Sequence, residues 1–190
     1  PLLAFRNAND LCVENNAVNK DFSEVSNGIS TCMYSGYPTL FMQFSHKPKF
    51  VFDPHWYKGI EYIKDQERGL PYKEDLYEPG YFELDIKKGE SIYFSAGLNE
   101  VNTKKLAKMY EDEVVTRTPR TSFYNCLKNS AKQFYIKNKS GEYIIAGYPW
   151  FNIRARDELV ALPGCTLSIH HQPDYEAVME TFIKSYRQFM

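Results

Sequence analysis

The sequence predicts an α+β chain in which an antiparallel β region comes first and helices follow. Three observations carry this. Up to Gly97, apolar residues alternate with polar ones or gather in short runs bounded by Gly, Pro, Asn and Asp, the pattern of strands and turns. After Gly97 the apolar spacing lengthens to three and four residues, that of helices with one buried face. Finally, 190 residues can bury roughly 70% of the surface that the unfolded chain exposes, enough for one large domain or two small ones.

The elements follow in order. The Asn-rich stretch 7–19 reads as loop. Ile29 to Tyr34 and Thr39 to Ser45 read as strands, separated by the turn residues Ser35-Gly36-Tyr37-Pro38. The run Thr39 to Phe44 is almost continuously apolar apart from Gln43, as in a central or doubly covered strand. Phe50-Val51-Phe52 should end at a turn starting with Asp53-Pro54, and Tyr57 to Asp65 should form a long strand. Tyr81 to Ile86 alternates, Lys87-Lys88-Gly89-Glu90 turns, and Ser91 to Ser95 follows. That pattern predicts a hairpin with Phe82, Leu84, Ile92 and Phe94 in a shared core.

Val101, Leu106, Met109 and Tyr110 predict a short helix, interrupted by Thr116 to Arg120. From Thr121 as N-cap, Phe123, Leu127, Ala131, Phe134 and Tyr135 predict a helix to about Asn138. A turn at Lys139 to Glu142 precedes a strand over Tyr143 to Ala146. A helix starts near Asp157 and is limited by Pro163-Gly164. The last helix has Pro173 at its start, with Asp174 and Glu176 in the first turn where the macrodipole favours carboxylates. Its apolar face is Tyr175, Val178, Met179, Phe182, Tyr186 and Phe189.

Composition narrows the function classes. The 23 basic and 24 acidic residues are interleaved for a net charge of -1, so the chain lacks the electrostatic footprint of a nucleic-acid or anionic-membrane binder. No apolar run approaches the ~18 residues of a membrane span. Cys12, Cys32, Cys126 and Cys165 have neither CxxC nor zinc spacing and read as free thiols, which favours a reducing compartment, the cytoplasm. His170-His171 has no third ligand at metal spacing, and no Gly-x-Ser-x-Gly or phosphate-cradling loop occurs, so no metal or cofactor is expected. The chain opens on Pro1 directly into Leu2-Leu3-Ala4-Phe5 and closes inside an amphipathic helix, which predicts a piece of a longer protein. Its bare helix faces predict self-association.

The segment most informative about function is Tyr148-Pro149-Trp150-Phe151-Asn152-Ile153-Arg154-Ala155-Arg156-Asp157-Glu158-Leu159-Val160-Ala161-Leu162-Pro163-Gly164. Guanidinium donors beside a carboxylate suit a rigid polyhydroxyl ligand, and aromatic rings just ahead suit the C–H face of a sugar. The segment resembles the aromatic-x-x-Trp-Gly-Arg-Asp-x-x-x-Ala-Leu-Pro-Gly signature that opens the amylo-α-1,6-glucosidase domain of glycogen-debranching enzymes. It departs from that signature with Arg154 for the Trp and Ala155 for the Gly. Two further blocks, Pro1 to Arg6 and Trp56 to Gly80 with its Arg68-Gly69-Leu70-Pro71-Tyr72-Lys73-Glu74-Asp75-Leu76, are similar to the N-terminal domain of the bacterial and archaeal enzymes. All three stand in the family order.

The resemblance implies a β-sandwich-like N-terminal domain followed by a catalytic (α/α)6 toroid that removes α-1,6-linked glucose by inverting hydrolysis. Residues 1–97 would be the end of the β domain, 98–120 a helical connector, and 121–190 the first helices of an incomplete toroid. Arg156 and Asp157 match the family's Arg-Asp and would hold glucose hydroxyls of an α-glucan, with Trp150 and Phe151 as a platform. On the residues alone, an Arg–Asp pair pinning a helix, with Asp157 as its cap, stands as the alternative. Arg68, Glu74 and Asp75 either form a structural salt-bridge network or border the pocket. An inverting pair sits ~6.5–9.5 Å apart. Asp157 and Glu158 are adjacent, about 100° apart around a helix, and cannot flank one bond. The resemblance implies that the family's catalytic carboxylates lie further along the toroid, beyond Met190, so no catalytic residue is expected in this chain. It reads as an inactive part of a glycoside hydrolase, or as a non-catalytic carbohydrate-binding or scaffolding protein on the same β domain.

Overall fold

Alternation in the first half builds antiparallel sheet. The structure, a computed structural model, describes residues 1–7, 10–148 and 151–187, and the chain forms two units, residues 1–114 and 115–190. In the first unit, β1 (Phe22–Val25), β2 (Gly28–Thr31), β3 (Leu40–Phe44) and β6 (Phe94–Gly97) make a sheet of order β1-β2-β3-β6. All its pairings are antiparallel, and β3 lies between two partners, as its apolar run requires. Gln43 of β3 is buried but fully used: its amide donates to the Ser26 and Val101 carbonyls at 3.0 and 3.1 Å and accepts from the Val101 N–H at 2.8 Å.

A second sheet pairs the long strands β4 (Lys49–Glu61) and β5 (Lys73–Glu83), joined through the short helix α1 (Ile63–Glu67). The two sheets share one core. Ile29 and Met42 from the first and Tyr77 from the second are buried with Leu3, Val18 and Met33, and Phe22, Phe50, Trp56 and Phe82 pack around them. The unit ends in a 3-10 turn (Thr103–Lys105) and most of α2 (Leu106–Thr116).

The second unit holds α3 (Phe123–Phe134), then the meander β7 (Tyr135–Asn138), β8 (Gly141–Gly147) and β9 (Phe151–Ile153), then α4 (Ala155–Cys165) and α5 (Gln172–Tyr186). Its core is Ile144 of β8, Leu162 of α4 and Val178 of α5, with Phe134, Tyr135, Tyr175 and Met179 against them. The expected apolar face of α5 is the one that packs, as Val178, Met179 and Phe182 are all at least half-buried. Phe189 and Met190 lie outside the described residues.

Several expectations need correction. The hairpin over 81–95 does not form. Lys87 to Glu90 does turn, with the Glu90 N–H on the Lys87 carbonyl at 3.0 Å, but Tyr81 to Glu83 pairs with β4 while Phe94 to Gly97 pairs with β3. A turn specifies a local reversal, not the partner of the strand that leaves it. Phe94 consequently stands 53% exposed on an edge strand instead of lining the core. Asp53-Pro54 marks a register shift inside β4 rather than its end, because proline is tolerated where the ladder is already irregular.

The strand read over Tyr57 to Asp65 stops at Glu61, and α1 begins at Ile63. The helix expected to reach Asn138 ends at Phe134. There, pairing of Tyr135 to Asn138 with β8 satisfies the backbone instead, and the cap is Ser122, whose hydroxyl accepts from the Asn125 N–H at 3.2 Å. Lastly, α4 starts before Asp157 and runs through Pro163 to Cys165. Pro163 and Leu159, whose carbonyl loses its N–H donor to the proline, both lie on the exposed side of the helix.

Candidate functional site

The signature segment folds as a strand-to-helix junction in the second unit. Phe151 pairs with Gly147 and Ile153 with Ile145, so β9 lies along the edge of β8. Gly147 is needed there by close approach: a Cβ at this position would come within 2.6 Å of Cδ2 of the Phe151 ring. The chain leaves β9 at Arg154, which occupies the N-cap position in extended backbone without a side-chain cap bond. Ala155, Arg156 and Asp157 then form the first turn of α4. Ala155 is helical, so replacing the family's glycine imposes no strain here.

Helical geometry sorts the side chains of this turn. Arg156 and Asp157 face out and are exposed, whereas Glu158 turns inward with Leu162 and is 1% exposed. Glu158 Oε1 accepts from the Ile144 N–H at 3.1 Å in the middle of the apolar core. Burial pushes its carboxyl above the usual range, and the Ile144 N–H only partly offsets this. Asp157 is not the cap of α4, since the cap position is Arg154. Among the described residues Arg156 and Asp157 enter no ion pair or side-chain hydrogen bond. The pinned Arg–Asp pair is therefore not what holds this helix; Glu158 is.

Arg154 is exposed rather than buried, so its charge needs no buried partner. Its guanidinium lies over the Phe151 ring, 4.8 Å from the centroid. Phe151 is itself about half-exposed, and so is Tyr148. Trp150 lies outside the described residues. The junction thus presents an aromatic ring, two guanidinium groups and a carboxylate on one short stretch of surface, and no group of three potential metal ligands occurs among the described residues.

The second candidate cluster lies in the first unit, and the structure sorts its three residues differently. Glu74 is 1% exposed and accepts from the Arg6 guanidinium, the Tyr62 hydroxyl and, at 3.0 Å, the Cys12 N–H. Burial alone would raise its carboxyl, but the bonds from Arg6, Tyr62 and Cys12 outweigh burial and hold it below the usual range. Asp75 accepts at 2.9 Å from the Glu14 N–H and at 2.9 Å from the Gly59 N–H, which lowers its carboxyl too. Gly59 has φ of +67°, at a second register shift of β4, and this left-handed turn aims its N–H at Asp75.

Together Glu74 and Asp75 clasp the amino-terminal segment to β5, beside the Leu3–Tyr77 backbone bridge. Arg68 is exposed on the loop after α1 and has no part in this network. The cation that pairs with Glu74 is Arg6, 68 positions away, a contact that sequence spacing could not reveal. Glu158 was missed as well, although its i, i+4 relation to Leu162 places it on the apolar stripe of α4.

Comparison with known families completes the picture. The described residues form an antiparallel β unit and, following it in sequence, a unit whose strand-to-helix junction carries the signature. The chain belongs to the glycogen debranching enzyme family: residues 1–93 match its N-terminal model and residues 125–190 match the amylo-alpha-1,6-glucosidase model. Comparison with curated proteins gave no match. Comparison with solved structures gave none either. No helix among the described residues is long and apolar enough to cross a membrane.

Proposed function

We propose that this chain supplies part of the α-glucan pocket of a debranching-type glycoside hydrolase acting on α-1,6-linked glucose, without the acid/base pair. Arg156 and Asp157 hold hydroxyls of the terminal glucose, and Phe151 with Trp150 covers its apolar face. The observation that supports this most is the state of Arg156 and Asp157. Adjacent, exposed opposite charges that pair with nothing among the described residues are poor stabilisers but ready donors and acceptors for a polyhydroxyl ligand.

In this reading residues 1–97 are the last part of the β-sandwich-like domain, 98–120 the connector and 121–190 the opening of the (α/α)6 domain. The division between the two units falls within that connector, which fits. No acid/base pair is assigned because Asp157 points to solvent and its neighbour Glu158 points into the core. The ligand is a neutral glucan, and the site needs no metal or cofactor.

Titration of the chain with a maltooligosaccharide bearing a single α-1,6-linked glucose, followed by amide shifts in NMR, tests the assignment. Shifts should concentrate at 147–157, with affinity on the order of millimolar for an incomplete pocket. Arg156→Ala should weaken them. Saturable shifts that leave this segment untouched would refute the site.

A further inference from the structure

Arg154 offers more than the absence of an indole. Over the Phe151 ring lies a guanidinium 4.8 Å from the centroid, while the ring stays about half-exposed. The ring itself approaches Gly147 so closely that a Cβ there would come within 2.6 Å of it. A guanidinium stacked on an aromatic ring loses rotational freedom while its in-plane N–H groups stay available, and those groups match the oxygens of a phosphate in a bidentate fork. Two residues on, Arg156 presents a second exposed guanidinium without a carboxylate partner among the described residues. The exposed charges from Phe151 to Asp157 sum to positive, two arginines against Asp157 alone, since Glu158 faces the core. Guanidinium groups carry donors only. A sugar hydroxyl uses them one at a time, whereas a phosphate monoester offers three acceptor oxygens and a compensating charge.

We propose that the Arg154–Phe151 stack, with Arg156, makes this surface selective for an α-glucan carrying a phosphate monoester. Arg154 is the specificity-determining residue and Phe151 its positioning residue. The inference rests on the glucan-binding reading above and adds to it the class of substituent.

The test compares a maltooligosaccharide, the same oligosaccharide phosphorylated on one glucose, and inorganic phosphate, each titrated against the 190-residue chain. The phosphorylated sugar should bind about ten-fold tighter than the neutral one, as one charge-assisted contact implies, and the advantage should shrink with salt. Arg154→Leu should bring the two sugars to within about two-fold while leaving the neutral one little changed. Arg154→Lys, which keeps the charge but not the fork, should recover only part of the preference, and Phe151→Leu should reduce it with Arg154 still present. Equal affinity for both sugars in the native chain would overturn the proposal while leaving the glucan site intact. Inorganic phosphate binding as tightly as the phosphorylated sugar would overturn it too, as an anion site unrelated to glucan. Loss of neutral-sugar binding at 147–157 would instead sink the glucan reading beneath it.

Discussion

Glu74 shows how much a single residue can fix. Its carboxylate, out of water, is held by a guanidinium, a phenol and a backbone N–H, so removing the cation leaves a buried charge partly unpaired. Arg6→Leu should therefore lower stability by roughly 2–3 kcal/mol, measurable by urea unfolding, with the segment 147–157 unaffected. A change below about 0.5 kcal/mol would show the pair to be peripheral. Tyr77 is the opposite case, because its hydroxyl is buried without a partner among the described residues. Tyr77→Phe removes an unsatisfied group and keeps the ring against Trp56, so stability should rise by about 1 kcal/mol. A fall would reveal a bond to an ordered water. At the junction, Asp157→Asn in an active parent enzyme should lower kcat/KM with thermal stability nearly intact, as the charge-assisted component of its hydroxyl bonds is lost. Wild-type kcat/KM would remove Asp157 from the pocket.

At the scale of elements, the sequence made some features legible and hid others for a physical reason. β2, β3, β8 and α5 follow from local pattern, because alternation or a helical stripe states which face is buried. The partner of a strand is not a local property. The 87–90 turn suggested that its flanking segments pair with each other, yet each joined a different sheet. Likewise Arg154, Arg156 and Asp157 were legible as a charged cluster next to an aromatic ring, but the stacking of Arg154 on Phe151 and the inward turn of Glu158 depend on tertiary packing. The core assigned to Phe94 moves accordingly. This ring is stacked on Phe44 at 4.7 Å but open to solvent, so Phe94→Ala should cost under about 1.5 kcal/mol. By contrast, Leu162→Ala in the packed centre of α4 should cost about 2–5 kcal/mol. Equal costs in thermal melts would mean that β6 is covered after all.

For the whole molecule, the two units carry buried carboxylates of opposite disposition. Glu74 has a lowered pKa when folded, so its contribution is present above the ordinary carboxylate range of ~4 and is lost as pH falls through the lowered value. Glu158 has a raised one, so its contribution is complete below ~4 and is lost as pH rises through the raised value. Glu158→Gln keeps an acceptor for the Ile144 N–H and removes the ionisable proton. It should stabilise the second unit near neutral pH, and the gain should vanish on acidification toward ~4. Hydrogen exchange resolved for each unit reads this directly. Acid should open the first unit while the second holds, and a Glu158→Gln gain independent of pH would show that the carboxyl titrates alike in the folded and unfolded chain. The same burial separates the two carboxylates of the signature turn. An inverting hydrolase needs two carboxyl groups facing one bond across ~6.5–9.5 Å. Of the two in the signature turn, Glu158 is committed to the core and Asp157 to the surface. The purified chain should accordingly bind branched oligosaccharide without releasing glucose from a limit dextrin. Glucose formation above that of a preparation lacking the chain, abolished by Asp157→Asn, would place an acid or base on this surface and reverse the assignment.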